Sequence, residues 1–162
     1  GVHALGVTLS REQASYAREA IEADGLGHLA EVRHSDYRAV RETGFDTISS
    51  IGLMEHVGVK NYPAYFGFVR EHLREGGRLL NHCIPRPDNA PRETGAFIDR
   101  YVFPDGELTG SGTIITAAQD AGLEVMHEEE GSVVFWESKI LSLPDGRLLA
   151  VAACAAEKRV CL

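Results

Sequence analysis

Apolar residues in this chain come in two rhythms that alternate: short uninterrupted runs, and stretches spaced at three or four positions. Short runs bounded by glycine or charge predict strands, whereas the wider spacing predicts helices that bury one face. Residues 2–7 read as a short strand, and Ser10 then opens a helix that runs to about Asp24. Ala14, Ala17, Ala20 and Ile21 form its apolar face, and Gly25 and Gly27 end it. Ser10 and Gln13 have capping-box spacing, in which each side chain serves a backbone N–H at the helix start. Residues 31–34 read as a second strand, and residues 45–51 as a third, buried one that runs into a tight glycine turn. Residues 62–74 predict an amphipathic helix, with Pro63 in its first turn, Tyr65, Phe66, Val69 and Leu73 at helical spacing, and Gly76-Gly77 as its stop. Residues 78–84 form a fourth strand, carrying His82 near its end. Strands alternating with helices imply an α/β fold with a parallel sheet and right-handed crossovers.

The pattern weakens after Pro85. Residues 86–94 are rich in proline, asparagine and charge and read as a long loop of the kind that covers a site. Residues 98–103 follow, then a Pro104-Asp105-Gly106 turn and a helix over residues 112–121 stopped by Gly122. Residues 124–126 predict a short strand. Residues 132–141 and 147–155 flank Pro144-Asp145-Gly146 as the arms of an antiparallel hairpin.

Composition narrows the function classes. The chain has 162 residues, is 44% hydrophobic, and fits one globular domain with a sizeable core. Its longest apolar run, residues 148–156, falls well short of the roughly 20 residues that a spanning helix needs. The net charge of −8 argues against nucleic acid as a partner, because that affinity comes from neutralising phosphates with Lys and Arg. Cys83, Cys154 and Cys161 are too widely spaced for a zinc knuckle or a redox pair, so a reducing compartment, the cytoplasm, is expected. The chain opens on Gly1 and enters a strand at once, which reads as the loss of a preceding segment.

Chemistry is expected where residues 45–51 end, since ligands of open α/β sheets bind beyond the carboxyl ends of strands. Glu55 follows that strand and His82 ends the next one, so both are delivered to the same edge. Taken singly, Glu55 reads equally well as a solvated turn residue, His82 as a satisfied strand-end histidine and Gln13 as a helix cap. His56 is expected to point away from Glu55, toward packing. Glu128-Glu129-Glu130 reads as a solvated charge run.

Several motifs, in order, carry a resemblance. They are Gly6-Val7-Thr8-Leu9-Ser10-Arg11-Glu12-Gln13; Ser35-Asp36-Tyr37-Arg38; Ser49-Ser50-Ile51-Gly52-Leu53-Met54-Glu55-His56-Val57-Gly58; Gly76-Gly77-Arg78-Leu79-Leu80-Asn81-His82; and Tyr101-Val102-Phe103-Pro104-Asp105-Gly106-Glu107-Leu108. Together they resemble the cyclopropane-fatty-acyl-phospholipid synthases and mycolic acid cyclopropane synthases, over residues 1–129. The resemblance implies a class I methyltransferase, Rossmann-like sheet and S-adenosylmethionine-dependent methylation of the double bond of an unsaturated phospholipid or other acyl-chain lipid, giving a ring or a methyl branch. It carries cofactor contacts to Thr8, Leu9, Ser10 and Gln13, with Asp36 and Tyr37 beside the adenine. It also implies a bicarbonate ion held by the backbone of Ile51, the carboxylate of Glu55 and the ring of His82. A lipid substrate implies peripheral contact with a membrane.

The departures from the family are equally specific. The glycine-rich first motif, its central strand and an upstream cysteine are expected to precede Gly1, which leaves the sheet incomplete. Residues 130–162 match nothing in the family, contain no tyrosine, and read as an atypical hairpin segment produced by an altered reading frame. The chain is accordingly expected to comprise a partial methyltransferase domain, residues 1–129, and an atypical segment, residues 130–162. Alone it is expected to be inactive and marginally stable. A non-catalytic remnant that keeps the family's surfaces is the competing reading. A small-molecule methyltransferase is a third, disfavoured by Glu55, His82 and the motif at residues 101–108.

Overall fold

A computed structural model describes residues 1–90, 101 and 107–125, together with the backbone of 139–142 and 148–151. The chain divides into two compact units, one of Gly1–Arg41 and Trp136–Leu162, the other of Glu42–Phe135. The predicted segments at residues 98–103 and Glu128-Glu129-Glu130 lie outside the described residues, apart from exposed Tyr101.

In the first unit β1 (Ala4–Thr8) leads through α1 (Arg11–Ala23) to β2 (Ala30–His34), and the two strands pair in parallel from Ala4↔Ala30 to Thr8↔His34. Ala14, Ala17 and Ile21 of α1 pack on Val32 of β2, so the expected apolar face is the buried one. Small alanines let the helix lie close to the strand, and Arg18 Nε donates to Val32 O at 2.8 Å across the same contact. Gly25, at φ 68°, takes the left-handed conformation that stops the helix. In the same unit β5 (Lys139–Ser142) and β6 (Leu148–Val151) pair antiparallel, with Leu141 opposite Leu149.

The second unit is built on β3 (Phe45–Ile51), the one-turn helix α2 (Met54–Val57), α3 (Tyr62–His72) and β4 (Leu73–His82). β3 and β4 are parallel, with Ser50 opposite Asn81 and Ile51 opposite His82. Met54, Tyr62, Tyr65, Phe66, Val69 and Leu73 make the core. Each large side chain of this kind contributes roughly 1.5–3 kcal/mol when fully buried. α4 (Ser111–Asp120) closes the described part of the unit and turns out at Gly122.

Several expectations change here. α3 stops at His72, earlier than the glycine pair, because Leu73 is already extended and opens β4. Gly76-Gly77 serve a bulge instead: the register jumps from Phe45↔Leu73 to Thr47↔Arg78. Gly76 sits at φ 69°, and a Cβ on Gly77 would come within 2.9 Å of Arg74 O and 3.0 Å of Phe45 O. Only glycine fits that crossing. β3 is less buried than its sequence implies; Phe45 and Ile48 are half-buried and only Ser50 is fully covered. Its described ladder has one partner strand, and α3 lies against one face. Glu124 and Val125 are not in a strand.

Candidate active site

Within the first unit, the residues expected at the cofactor gather where β1 and β2 end. Thr8 closes β1, and its carbonyl accepts from Ser35 N–H at 3.0 Å. Its hydroxyl donates to Gln13 Oε1 at 2.7 Å and accepts from Ser10 N–H at 3.1 Å. Ser10 caps α1 by accepting from Gln13 N–H at 3.2 Å. The capping box is therefore half-formed: Gln13 is spent on Thr8 and not on the Ser10 backbone. Leu9 stands 70% exposed with its carbonyl 3.0 Å from His34 Nε2, a histidine that no motif or spacing marked.

Asp36 caps the 3-10 turn Tyr37–Ala39 by accepting from Arg38 N–H at 2.9 Å, and its carboxylate also takes the Arg38 guanidinium at 2.9 and 2.6 Å. The guanidinium holds the Asp36 carboxyl below the usual carboxylate range. Burial pushes the Tyr37 phenol up. Thr8, Leu9, Ser10, Gln13, Asp36 and Tyr37 thus lie beyond the carboxyl ends of two paired strands, where α/β sheets bind ligands.

In the second unit the turn after β3 is set by Gly52. At φ 65° it reverses the chain, and its N–H donates to His82 O at 2.9 Å, tying the ends of β3 and β4 together. Leu53 then leads into α2, which carries Glu55 inward. Glu55 is only 2% exposed, which rules out the solvated-turn reading. One carboxylate oxygen, Oε1, accepts from Ile84 N–H at 2.7 Å, while the other, Oε2, is buried without a hydrogen-bond partner. His56 is exposed and is not part of the buried core that was expected of it.

His82 Nδ1 and Ser50 Oγ are the other buried side-chain polar atoms without partners among the described residues. Ser50 pairs with Asn81, and Asn81 Oδ1 accepts from Tyr65 OH of α3 at 3.1 Å, so this pair faces α3. Side chains alternate along a strand, which directs Ile51 and His82 to the other face. No hydrogen bond or ion pair joins Glu55 to His82 among the described residues. What they share is the strand edge and an unfilled hydrogen-bonding position each.

Glu55 has neighbours that sequence reasoning did not name as site residues. A small crevice at its side chain is lined by Tyr62, Cys83, Ile84 and Glu107 among others. Burial, with Glu55 as a second contributor, pushes the Cys83 thiol up to about 11. Tyr62 is pushed up to about 12, by burial first and then by Cys83, Glu107 and Glu55. Glu107 was visible as part of the motif over residues 101–108; nothing in the linear pattern marked its contact with residue 55.

The fit of the groups implied by the family follows from these atoms. A bicarbonate ion carries one hydroxyl hydrogen and three oxygens, so it needs one acceptor and several donors. Glu55 Oε2 is such an acceptor, and the His82 ring can donate. The residues fit. For S-adenosylmethionine the polar edge at Thr8–Gln13 and Asp36-Tyr37 fits a ligand with amine, hydroxyl and adenine groups.

Comparison with known proteins identifies the family and the fold. The family model for mycolic acid cyclopropane synthetase matches residues 1–138. "Probable fatty acid methyltransferase Rv3720" of Mycobacterium tuberculosis is 65% identical over 130 residues, covering 80% of this chain and 30% of that protein. Cyclopropane-fatty-acyl-phospholipid synthase of Escherichia coli K12 is 37% identical over 107 residues, covering 66% of this chain and 26% of that protein. The chain spans about a third of the length of the curated relatives it matches. The solved mycolic acid cyclopropane synthase CmaA1, crystallised with SAH and CTAB, superposes with a TM-score of 0.69 at 26% identity, over 78% of this chain and 48% of that one. The fold is that of the class I methyltransferases. By its sequence match and its fold alike, the chain belongs to the mycolic acid cyclopropane synthetase family.

Proposed function

We propose that this chain is part of an enzyme that transfers a methyl group from S-adenosylmethionine to the double bond of an unsaturated lipid acyl chain, giving a cyclopropane or a methyl branch. The observation that carries this reading is Glu55: a carboxylate 2% exposed, on the one-turn helix that follows β3, with one oxygen fixed by Ile84 N–H and the other unfilled among the described residues. Leaving a buried acceptor unpaired costs about 1–3 kcal/mol, so such an atom is kept where a ligand completes it. The names of the relatives, fatty acid methyltransferase and cyclopropane-fatty-acyl-phospholipid synthase, supply the chemical class of the substrate.

Thr8, Leu9, Ser10, Gln13, Asp36 and Tyr37 would hold S-adenosylmethionine, which supplies an electrophilic methyl group when bound. Glu55, His82 and the backbone of Ile51 would hold bicarbonate, which supplies a base for the proton lost on ring closure. An alkene is a weak nucleophile, and the protein's contribution is to place it and to keep water from the developing cation. Glu55 and His82 serve that end by orienting an oxygen ligand from fixed positions: Gly52 N–H ties the strand ends, and Ile84 N–H restrains the carboxylate. The lipid would be met at a membrane surface.

The test is transfer of labelled methyl groups to extracted lipids, followed by mass analysis of the acyl chains. It is run on this chain and on the chain joined to the remaining segments of the M. tuberculosis relative. Labelled cyclopropane or branched acyl chains from the joined protein support the reading. Label confined to small molecules or absent in both would overturn it.

A further inference from the structure

We infer that Glu107 is a positioning residue that fixes the working carboxylate of Glu55, an inference that rests on the role proposed for Glu55. Glu107 grips the Glu55 turn at two places. Its backbone N–H donates to Glu55 O at 3.1 Å, and its side-chain Oε2 accepts from Val59 N–H at 3.1 Å. α2 is a single turn, Met54–Val57, flanked by Gly52 at φ 65° and Gly58 at φ 76°. So short a helix has almost no internal ladder, and hinge-like residues bound it on both sides, so its orientation must be set from outside. Neither Leu53 before it nor Gly58 after it offers a side-chain cap. On the carboxyl side Asn61 Nδ2 donates to Val57 O at 2.7 Å and Glu107 adds its hold on Glu55 O and Val59 N–H, while Ile84 N–H, at 2.7 Å, restrains the Glu55 carboxylate itself. A carboxylate that must present one oxygen to a ligand loses its use when the turn beneath it rotates by about 1 Å.

The experiment is amide hydrogen exchange, resolved by residue, on the full chain carrying Glu107→Ala or Glu107→Gln. Ile84 N–H donates to Glu55 Oε1, and no hydrogen bond joins it to the Glu107 side chain among the described residues, so it reports the Glu55 carboxylate. Glu107→Ala is expected to speed exchange about tenfold at Val59 and at Ile84, with Ile48 inside β3 unchanged. Glu107→Gln keeps an oxygen acceptor for Val59 N–H and is expected to restore both. Wild-type exchange at Ile84 in Glu107→Ala overturns the inference, and so does acceleration that includes Ile48 equally in both variants. If Glu55→Gln leaves lipid methylation intact while Glu107→Ala still frees Ile84, the functional reading of Glu55 fails and the positioning by Glu107 stands.

Discussion

The strand edge of β1–β2 and the strand edge of β3–β4 are built by the same fold rule and finished in opposite ways. At the first, the polar side chains serve one another: Thr8 with Gln13 and Ser10, and Asp36 with Arg38. At the second, Ser50, Glu55 and His82 each keep a buried polar atom without a partner among the described residues. A self-satisfied edge is rigid before a ligand arrives and gives it a shaped surface. An unsatisfied edge stores the cost of desolvation until a ligand supplies the missing hydrogen bonds. The difference teaches which edge is suited to shaping a ligand's binding surface and which to gripping a small reactive group.

The largest effect expected is at the open edge. Glu55→Gln keeps an oxygen for Ile84 N–H and replaces the unfilled acceptor by a donor, so stability changes by less than about 1 kcal/mol while methyl transfer by the chain joined to the remaining segments of the M. tuberculosis relative falls at least about 100-fold. Lipid methylation kinetics together with urea unfolding read the two halves of that statement; equal loss of both would make Glu55 merely structural.

Gly52→Ala comes next. A side chain at φ 65° costs about 1–2 kcal/mol, and the tie from residue 52 to His82 O is loosened with it. The urea midpoint should fall accordingly. An unchanged midpoint would mean that the strand ends are held together by something else.

At the closed edge the effects are smaller. Thr8→Val removes an exposed donor to Gln13 and a part-buried acceptor for Ser10 N–H, and should cost about 1 kcal/mol by the same measurement.

Smallest is the pH response of Asp36. Its carboxyl is held below the usual value by Arg38, so the stability it contributes is fully present above the unfolded pKa near 3.8 and is lost as pH falls through the lower folded value. Solvent screening limits this to a few tenths of a kcal/mol. Carboxyl NMR titration should place Asp36 below the ordinary value in the wild type and return it toward that value in Arg38→Ala; no movement would remove Arg38 as the cause.

Much of this was legible in the chain because local patterns decided it. β3 was bounded correctly because a run from Phe45 ends at Gly52, and α1 because Ser10 and Gly25 mark its ends. The end of α3 was misjudged because Gly76-Gly77 are a stop signal in sequence, whereas in the fold they make room for Phe45 O and Arg74 O at the bulge. That requirement belongs to a neighbouring strand and cannot be read along one segment. Glu55 and His82 stand out in the sequence through strand ends and motif. Cys83, Tyr62 and Glu107 were not, since they reach Glu55 only through packing across residues distant in sequence. The Asp36–Arg38 pair and the Thr8–Gln13 bond were equally hidden, because spacing reveals that two groups can meet but not which of several partners they choose.

The decisive measurement is a bicarbonate titration of this chain followed by the ring resonances of His82 and the amide of Ile84, with Thr8 and Asp36 as references. Saturable shifts at His82 and Ile84, absent at Thr8 and Asp36 and abolished by Glu55→Gln, are the result expected of an open β3–β4 edge that grips a small oxyanion. Shifts that are equal at both edges, or none at His82 up to saturating bicarbonate, would contradict it.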